Sequence, residues 1–322
     1  MSSLMRRCTK EQHIEILESY SNDADAAEHY TVVMGKKVSR QNVTYWRKIF
    51  IENKGNRAST VRQMKNMQAF IKPEPDDDIG EDLFLPELAE RILVIPDIHA
   101  PYHHPDTIKF LVAVRDKLDP DLVVNLGDEI DMHAMSFHDS DPNLHSAGAE
   151  LEASKEFLAE LHVEFPDVLV CHSNHGSMVW RKAKAHGIPV QMIKKYRDIL
   201  FPEHGAPGWS WKYAWRINTA MGTVMFKHQV SGDPLGDAAH NQCSLVTGHQ
   251  HGNFDISYAA SSARLYWSMR SGCLIDKDAL AFAYGKHTRY KPVIGCSAIV
   301  DGQPLLIPMV LSEDGRWIGE LV

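Results

Sequence analysis

Five apolar, strand-like runs in this chain are each followed directly by side chains that bind metal ions. The runs are rich in β-branched residues, which is typical of buried strands, and a polar group at the end of such a strand lies at the sheet edge. In chain order, the five polar stretches are Asp97-Ile98-His99, Gly127-Asp128-Glu129-Ile130-Asp131, Ser173-Asn174-His175, His228 and Gly248-His249-Gln250-His251. This order predicts a mixed α/β fold with a two-metal site at the sheet edge.

The residue types in these stretches suit a pair of divalent cations. Two such ions, about 3.5–4 Å apart, need a bridging carboxylate, and Asp128 is the candidate. Imidazole, carboxylate and amide groups are ligands of the right hardness. In Asp97-Ile98-His99 and His249-Gln250-His251, residues i and i+2 point to the same side of an extended chain, so each pair can serve one pocket. The candidate ligands are Asp97, His99, Asp128, Asn174, His228, His249 and His251.

In order and in chemistry, the five stretches resemble the motifs of the calcineurin-like metallophosphoesterase family. Those motifs are Asp-x-His, Gly-Asp-x-x-Asp, Gly-Asn-His, a lone His and Gly-His-x-His, and the resemblance covers about Ile92 to His251. It implies a four-layer αββα sandwich with the metals at the sheet edges. It also implies a metal-dependent phosphoric ester hydrolase.

The resemblance implies a role for each site residue. One ion would be held by Asp97, His99, Asp128 and His251, and the other by Asp128, Asn174, His228 and His249. His175 would be the general acid for the leaving oxygen, or a contact to phosphate, and Asp131 would orient it. Mn²⁺ is the expected metal, and Fe, Zn²⁺ and Ni²⁺ suit the same ligands.

The chain departs from the family pattern at two points. The third motif reads Ser173-Asn174-His175-Gly176, where the family usually has Gly first and an acidic residue last. Met132-His133 stands where Ser/Thr protein phosphatases have Arg-Gly, so the Arg that clamps phosphate is missing. This argues against a protein phosphatase, and His133, Arg181 and Lys182 are candidates to replace the Arg. With the N-terminal segment described below, the pattern most resembles phage-encoded members of the family.

The N-terminal segment has a different character from the rest of the chain. Up to Lys72 it has 13 Lys and Arg against 7 Asp and Glu, a charge of +6, so the remainder carries −14 of the total charge of −8. Two short helical patterns precede Gly35, and Ser39 is a plausible N-cap for a helix starting at Arg40. This arrangement resembles a helix-turn-helix unit. Val43 and Trp46 are expected to pack inward, while Arg40, Gln41, Thr44 and Arg47 or Lys48 are expected to face outward.

The segment therefore predicts nucleic acid as a partner, and the alternative is a helical module for protein contact or oligomerisation.

Residues 73–90 are acidic and interrupted by Pro, which predicts a linker, or alternatively a long surface loop. The predicted domains are a helical domain at 1–72, the linker at 73–90 and the metallophosphoesterase domain at 91–322. Within the last, helices are expected at Thr107–Leu118 and Ala149–Leu161, and Trp211–Ile217 is expected to be one strand.

Composition limits the location of the protein. No apolar run approaches the roughly 20 residues that cross a bilayer, and the basic start lacks the apolar core of a secretion signal. Five scattered cysteines predict reduced thiols. The expected location is therefore the cytoplasm, which would be the host cytoplasm for a phage protein.

Three functions fit the sequence. The leading hypothesis is a phosphodiesterase or nuclease that cleaves DNA, with water activated at the metals and His175 as the acid. The alternative is a phosphomonoesterase acting on a nucleotide or a phosphoprotein. The third is a metal site with a structural or regulatory role, which the presence of both His175 and Asp131 disfavours.

Overall fold

The computed structural model describes residues 10–34, 37–51, 83–136, 143–282 and 291–321. The chain divides into two compact units, residues 1–72 and 73–322.

The N-terminal unit contains three helices among its described residues: α1 (Lys10–Ser19), α2 (Asp23–Met34) and α3 (Arg40–Phe50). Leu17, Tyr30 and Val43 are buried between them, and Trp46 packs against this cluster. The Ser39 side chain accepts a hydrogen bond from the backbone N–H of Asn42 and so caps α3, as the sequence predicts. Burial of one apolar stripe per helix explains why three short helices form a stable unit.

Two side chains of α3 that were expected to face outward are instead engaged within the unit. The Arg47 guanidinium bonds the Asp23 carboxylate at 2.8 Å and donates to the carbonyl oxygens of Leu17 and Tyr20 at 2.7 and 2.8 Å. The Thr44 hydroxyl donates to Asp23 at 2.6 Å. The prediction for Thr44 is therefore wrong, because α2 presents a carboxylate to this face of α3. Of the two alternatives Arg47 and Lys48, Arg47 faces inward, because α1 presents its open carboxyl end there. The side chains of Gln41 and Lys48 lie outside the described residues. Arg40 is exposed, as predicted.

The larger unit alternates strands and helices before a strand-rich final third. Its described helices are α4 (Thr107–Leu118), α5 (Ala147–Glu164), α6 (Met178–Ala185), α7 (Tyr196–Leu200) and α8 (Pro234–Asn241). Its described strands are β1 (Leu83–Leu88), β2 (Arg91–Ile95), β3 (Leu122–Asn125), β4 (Val168–Cys171), β5 (Trp209–Lys212), β6 (Ala214–Thr219), β7 (Gly222–Lys227), β8 (Ser244–Thr247), β9 (Phe254–Ala260), β10 (Leu265–Ser271), β11 (Gly295–Val300) and β12 (Gln303–Pro308).

The strands form two six-stranded sheets that pack face to face. One sheet has the order β12-β11-β2-β3-β4-β5 and the other the order β1-β6-β7-β8-β10-β9. Side chains such as Val94 and Val124 from the first sheet and Phe226 and Val246 from the second form the core between them. The outer face of the first sheet packs on α4 and α5, and that of the second packs on α8. The result is the expected order of four layers, helix–sheet–sheet–helix.

The structure agrees with some predicted elements and corrects others. The helices at Thr107–Leu118 and around Ala149–Leu161 are present. Trp211–Ile217 is not one strand, because the chain leaves the first sheet after β5 and enters the second at β6. Within the predicted linker, residues 83–88 form β1, which pairs with β6. The linker prediction therefore does not hold for those residues, and residues 73–82 lie outside the described ones.

Across the described ranges, no helix is both long and apolar enough to span a bilayer. Among the described residues, Cys171, Cys243, Cys273 and Cys296 are buried free thiols, and Cys8 lies outside the described residues.

Candidate metal centre

Parallel strands bring the five polar stretches to one edge of the two sheets. In the first sheet β2, β3 and β4 are parallel, so their carboxyl ends meet at the same edge. In the second sheet β7 and β8 are parallel, and the Gly248 N–H bonds the His228 carbonyl at 3.0 Å. The loops after β2 and β3 are tied together, because the N–H groups of Ile98 and His99 both donate to the Asp128 carbonyl.

The first cluster of ligand-type groups contains Asp97, His99 and His251. Their ligand atoms all lie within 4.8 Å of one another. His251 Nε2 lies 3.2 Å from Asp97 Oδ2 and 3.1 Å from His99 Nε2. Two imidazole nitrogens and a carboxylate oxygen thus converge on one point, with Asp97 and His99 buried.

The second cluster contains Asp128, His228 and His249, whose ligand atoms also lie within 4.8 Å of one another. The Asn174 side-chain oxygen is 2.6 Å from His228 Nε2, which places the amide in the same group. His228 is fixed by its other ring nitrogen, since Nδ1 is 2.9 Å from the Leu126 carbonyl. His249 is exposed, so this cluster faces solvent on one side.

Asp128 lies between the two clusters. Its Oδ2 atom is 3.4 Å from His99 Nε2 in the first cluster and 3.3 Å from His228 Nε2 in the second. Its Oδ1 atom accepts a hydrogen bond from the His175 backbone N–H at 3.2 Å. One carboxylate oxygen therefore faces an imidazole from each cluster, and the other is held by the backbone.

Asp131 contacts two histidines through different atoms. Its carboxylate lies 2.5 Å from His99 Nδ1, whereas its backbone carbonyl accepts a hydrogen bond from His175 Nδ1. The carboxylate is 3.8 Å from the same His175 nitrogen. Asp131 thus orients His175 mainly through its main chain, and its side chain orients His99, a pattern common around metal-binding histidines.

The backbone that carries these groups adopts an unusual conformation. His99, Asp128 and His249 have φ angles of 55°, 52° and 68°, in the left-handed region that residues with a Cβ rarely adopt. Gly127 has φ of 96°, and a Cβ there would lie 2.5 Å from the Cys171 carbonyl oxygen. A residue with a Cβ loses about 1–3 kcal/mol of stability when its backbone adopts this conformation, and such residues are concentrated at functional sites.

Burial and paired charges shift the pKa values of the site. Burial opposes protonation of His99 and His228, but nearby carboxylates outweigh it. Asp128 and Asp131 raise the pKa of His99 to about 10, and Asp128 and Asp97 raise that of His228 to about 9. Burial would raise the pKa of Asp128, yet the histidines, His228 foremost, hold it well below its usual value.

The same residues fit a pair of divalent cations. Among the described residues, the buried Asp97 Oδ1 has no hydrogen-bond partner. Burying a carboxylate oxygen in this way lowers the stability of the fold unless a cation compensates its negative charge. A side chain at Gly248 would overlap this oxygen. The donors are imidazole nitrogens and carboxylate or amide oxygens, the set that suits first-row divalent metals.

Sequence reasoning assigned no role to Glu129, which lies inside the second motif. Its carboxylate is buried and accepts a hydrogen bond from Trp211 Nε1 at 2.7 Å, and burial raises its pKa. This bond ties the loop that carries Asp128 to β5. No local signal could have revealed it, because the two residues are 82 positions apart. Trp209 and Trp215 are likewise buried, with indole N–H groups bonded to backbone carbonyls, so they form core rather than a base-stacking surface.

The departures from the family motifs have local explanations in the structure. The Ser173 hydroxyl accepts a hydrogen bond from the Gly176 N–H at 3.0 Å and closes the turn that carries Asn174. His133 lies 3.8 Å from the Asp131 carboxylate. Arg181 lines a groove beside Asn174.

No known family profile matches the sequence, and no curated protein does either. The fold is similar to solved structures. Vacuolar protein sorting 29 from Cryptosporidium parvum is 14% identical, with a TM-score of 0.38 over 73% of this chain and 96% of that one. Vps29 from Chaetomium thermophilum is also 14% identical, with a TM-score of 0.36 over 73% and 95%. The Escherichia coli phosphoesterase YfcE is 12% identical, with a TM-score of 0.36 over 72% and 98%.

Proposed function

We propose that this chain is a two-metal phosphoesterase of the calcineurin-like type. The observation that carries the proposal is Asp128 Oδ2, which faces one imidazole of each cluster at 3.4 and 3.3 Å. A carboxylate that bridges two ions would have to lie between the two clusters, as Asp128 does. The proposed ligands are Asp97, His99, Asp128 and His251 for one ion, and Asp128, Asn174, His228 and His249 for the other. When bound, two such cations polarise a phosphoryl oxygen and lower the pKa of water.

His175 is proposed to protonate the leaving oxygen. Its Nδ1 donates to the Asp131 carbonyl, so Nε2 is the atom that can transfer a proton. Burial lowers the pKa of His175, and a neutral imidazole with Nδ1 protonated has no proton to give from Nε2. A negatively charged phosphate next to the ring favours the imidazolium, so His175 would take up a proton at Nε2 from solvent when substrate binds and could then donate it to the leaving oxygen.

A phosphodiester of DNA is the proposed substrate class. It is supported by the +6 charge of residues 1–72, which suits a polyanion, and by the absence of the phosphate-clamping Arg after Asp131. If the N-terminal unit delivers DNA, deletion of residues 1–72 lowers DNA affinity and its dependence on salt. Unchanged affinity would exclude that role.

A phosphomonoesterase with a protein-contact N-terminal unit is the second candidate. The observation in its favour is the inward placement of Thr44 and Arg47, which removes two of the polar groups expected to face DNA. Bis- and mono-p-nitrophenyl phosphate, single-stranded and duplex DNA and a phosphopeptide, each assayed with Mn²⁺ and Zn²⁺, separate the two candidates.

Two variants test the mechanism. Asp128→Asn should lose both ions and all activity, whereas His175→Ala should keep its metal content but turn over about 10²–10⁴-fold more slowly, the usual loss for a general acid. The matched control is His240→Ala, which removes an exposed histidine of α8 outside the site. Full activity in Asp128→Asn or His175→Ala would refute the assignment.

A further inference from the structure

A groove of about 510 Å³ adjoins the second ligand cluster. It runs from the turn after β4 and the start of α6, past the link between β5 and β6, to the end of β7. Asn174 and His228 form part of its wall, so the groove opens directly beside the proposed metal centre. Its volume lies within the range of pockets that hold small ligands, about 300–1,000 Å³.

Two cationic residues line the groove although residues 73–322 are acidic overall. Arg181 from α6 and Lys227 from β7 both line the groove, and none of the described lining residues is Asp or Glu. Lys227 also lies 3.6 Å from the Asp237 carboxylate, which anchors its ammonium group at the rim. Residues 73–322 carry a net charge of −14, so the presence of two cationic residues and no Asp or Glu among the described lining residues favours an anionic ligand in the groove.

An aromatic ring completes the groove. Tyr213, in the link between β5 and β6, is 45% exposed, whereas the neighbouring Trp211 and Trp215 are buried. Its ring meets that of His172 edge-on, with centroids 5.4 Å apart and planes at 90°. This contact with His172 holds the Tyr213 ring in place at a wall of the groove. A fixed, exposed aromatic ring beside cations is the arrangement that stacks an unpaired base next to its phosphate.

We propose that this groove binds the nucleotide next to the scissile phosphate of a single DNA strand, with its phosphate held by Arg181 and Lys227 and its base stacked on Tyr213. The inference rests on the proposed phosphodiesterase function and adds to it that the substrate is single-stranded and extends beyond one phosphate. A base inside a duplex is stacked between its two neighbours and cannot stack on Tyr213 without leaving the helix, so the groove selects unpaired DNA.

Kinetics with two diesters test the proposal. The trinucleotide d(TTT) can fill the groove, and methyl p-nitrophenyl phosphate has one phosphate and no base. Arg181→Ala, Lys227→Gln and Tyr213→Ala should each lower kcat/KM for d(TTT), relative to that for the small diester, by about tenfold. Tyr213→Phe should restore the wild-type ratio. The control Lys184→Ala, which removes an exposed charge from the same helix, should leave the ratio unchanged.

Salt dependence separates a phosphate contact from a general structural defect. Without Arg181 and Lys227, the slope of log KM for d(TTT) against log salt should become shallower by about 0.7, the value for one neutralised phosphate of a single strand. Wild-type ratios and slopes in all groove variants would overturn the proposal. If the wild-type protein cleaves neither diester, the proposed function fails. The groove is then still tested by binding of labelled d(TTT) in EDTA, where equal affinity of wild type and variants would overturn it.

Discussion

Metal binding to this protein should release protons, and its affinity should therefore rise with pH. In the metal-free protein the pKa of His99 is raised to about 10 and that of His228 to about 9, so both are imidazolium ions at pH 7.5. A histidine coordinates a metal only in its neutral form. Each proposed ligand set contains one of these two histidines, so each ion has to displace one proton.

The size of the effect follows from the two pKa values. At pH 7.5, removing the proton costs about 2 kcal/mol at His228 and about 3 kcal/mol at His99, at 1.36 kcal/mol per pH unit. Affinity should rise about tenfold per pH unit at each site up to pH 9. The free energy of unfolding of the metal-free protein should change in the opposite direction and fall as the pH rises. Because both pKa values lie above the unfolded value of 6.5, the stability from these charged pairs is complete below pH 6.5 and is lost as pH rises through 9 and 10.

Calorimetric titration with Zn²⁺ at pH 7.5, in two buffers of different ionisation enthalpy, measures the released protons directly. We expect about two protons for two ions, and the same number for His240→Ala, which lacks a histidine outside the site. Thermal unfolding of the metal-free protein should show a lower Tm at pH 9.5 than at pH 7. Zinc binding without proton release, or an affinity independent of pH between 7 and 9, would refute the reasoning.

Three substitutions test other parts of the structure. Gly248→Ala places a methyl group against Asp97 Oδ1 and should weaken metal binding about 10–100-fold; normal metal content by elemental analysis would contradict this. Trp211→Phe removes a hydrogen bond to the buried Glu129 and should lower the free energy of unfolding in urea by about 1–3 kcal/mol; an unchanged midpoint would be inconsistent. Arg47→Gln should destabilise the N-terminal helices by about 2–3 kcal/mol, visible as faster hydrogen exchange there, and full protection would argue against a role for Arg47 in joining the helices.

The elements that the sequence predicts well are those set by local patterns. A polar group after a buried parallel strand has to lie at the sheet edge, which is why the stretches from Asp97 to His251 converge. The capping serine Ser39 likewise predicts the start of α3 at Arg40. Helical spacing of apolar residues predicts α4 at Thr107–Leu118. In these cases the determining interactions lie within one turn or one strand.

The features that the sequence misses depend on partners far along the chain. Arg47 resembles any outward cation until α1 and α2 surround it with Asp23 and two open carbonyls, 24 to 30 residues away. The break between β5 and β6 is equally hidden, because Trp211 and Trp215 are both buried aromatic residues in strands of different sheets. Apolar pattern alone does not say which sheet a strand joins.

Asp131 shows how one residue can serve two purposes in this site. Its carboxylate bonds His99 Nδ1 at 2.5 Å and so directs Nε2 towards Asp128 and His251. Its carbonyl bonds His175 Nδ1 and leaves the Nε2 atom of that ring for proton transfer. Only the first bond depends on the side chain. The Asp131 carboxylate, together with that of Asp128, therefore raises the pKa of His99, whereas the hydrogen bond that fixes the tautomer of His175 comes from the backbone of residue 131.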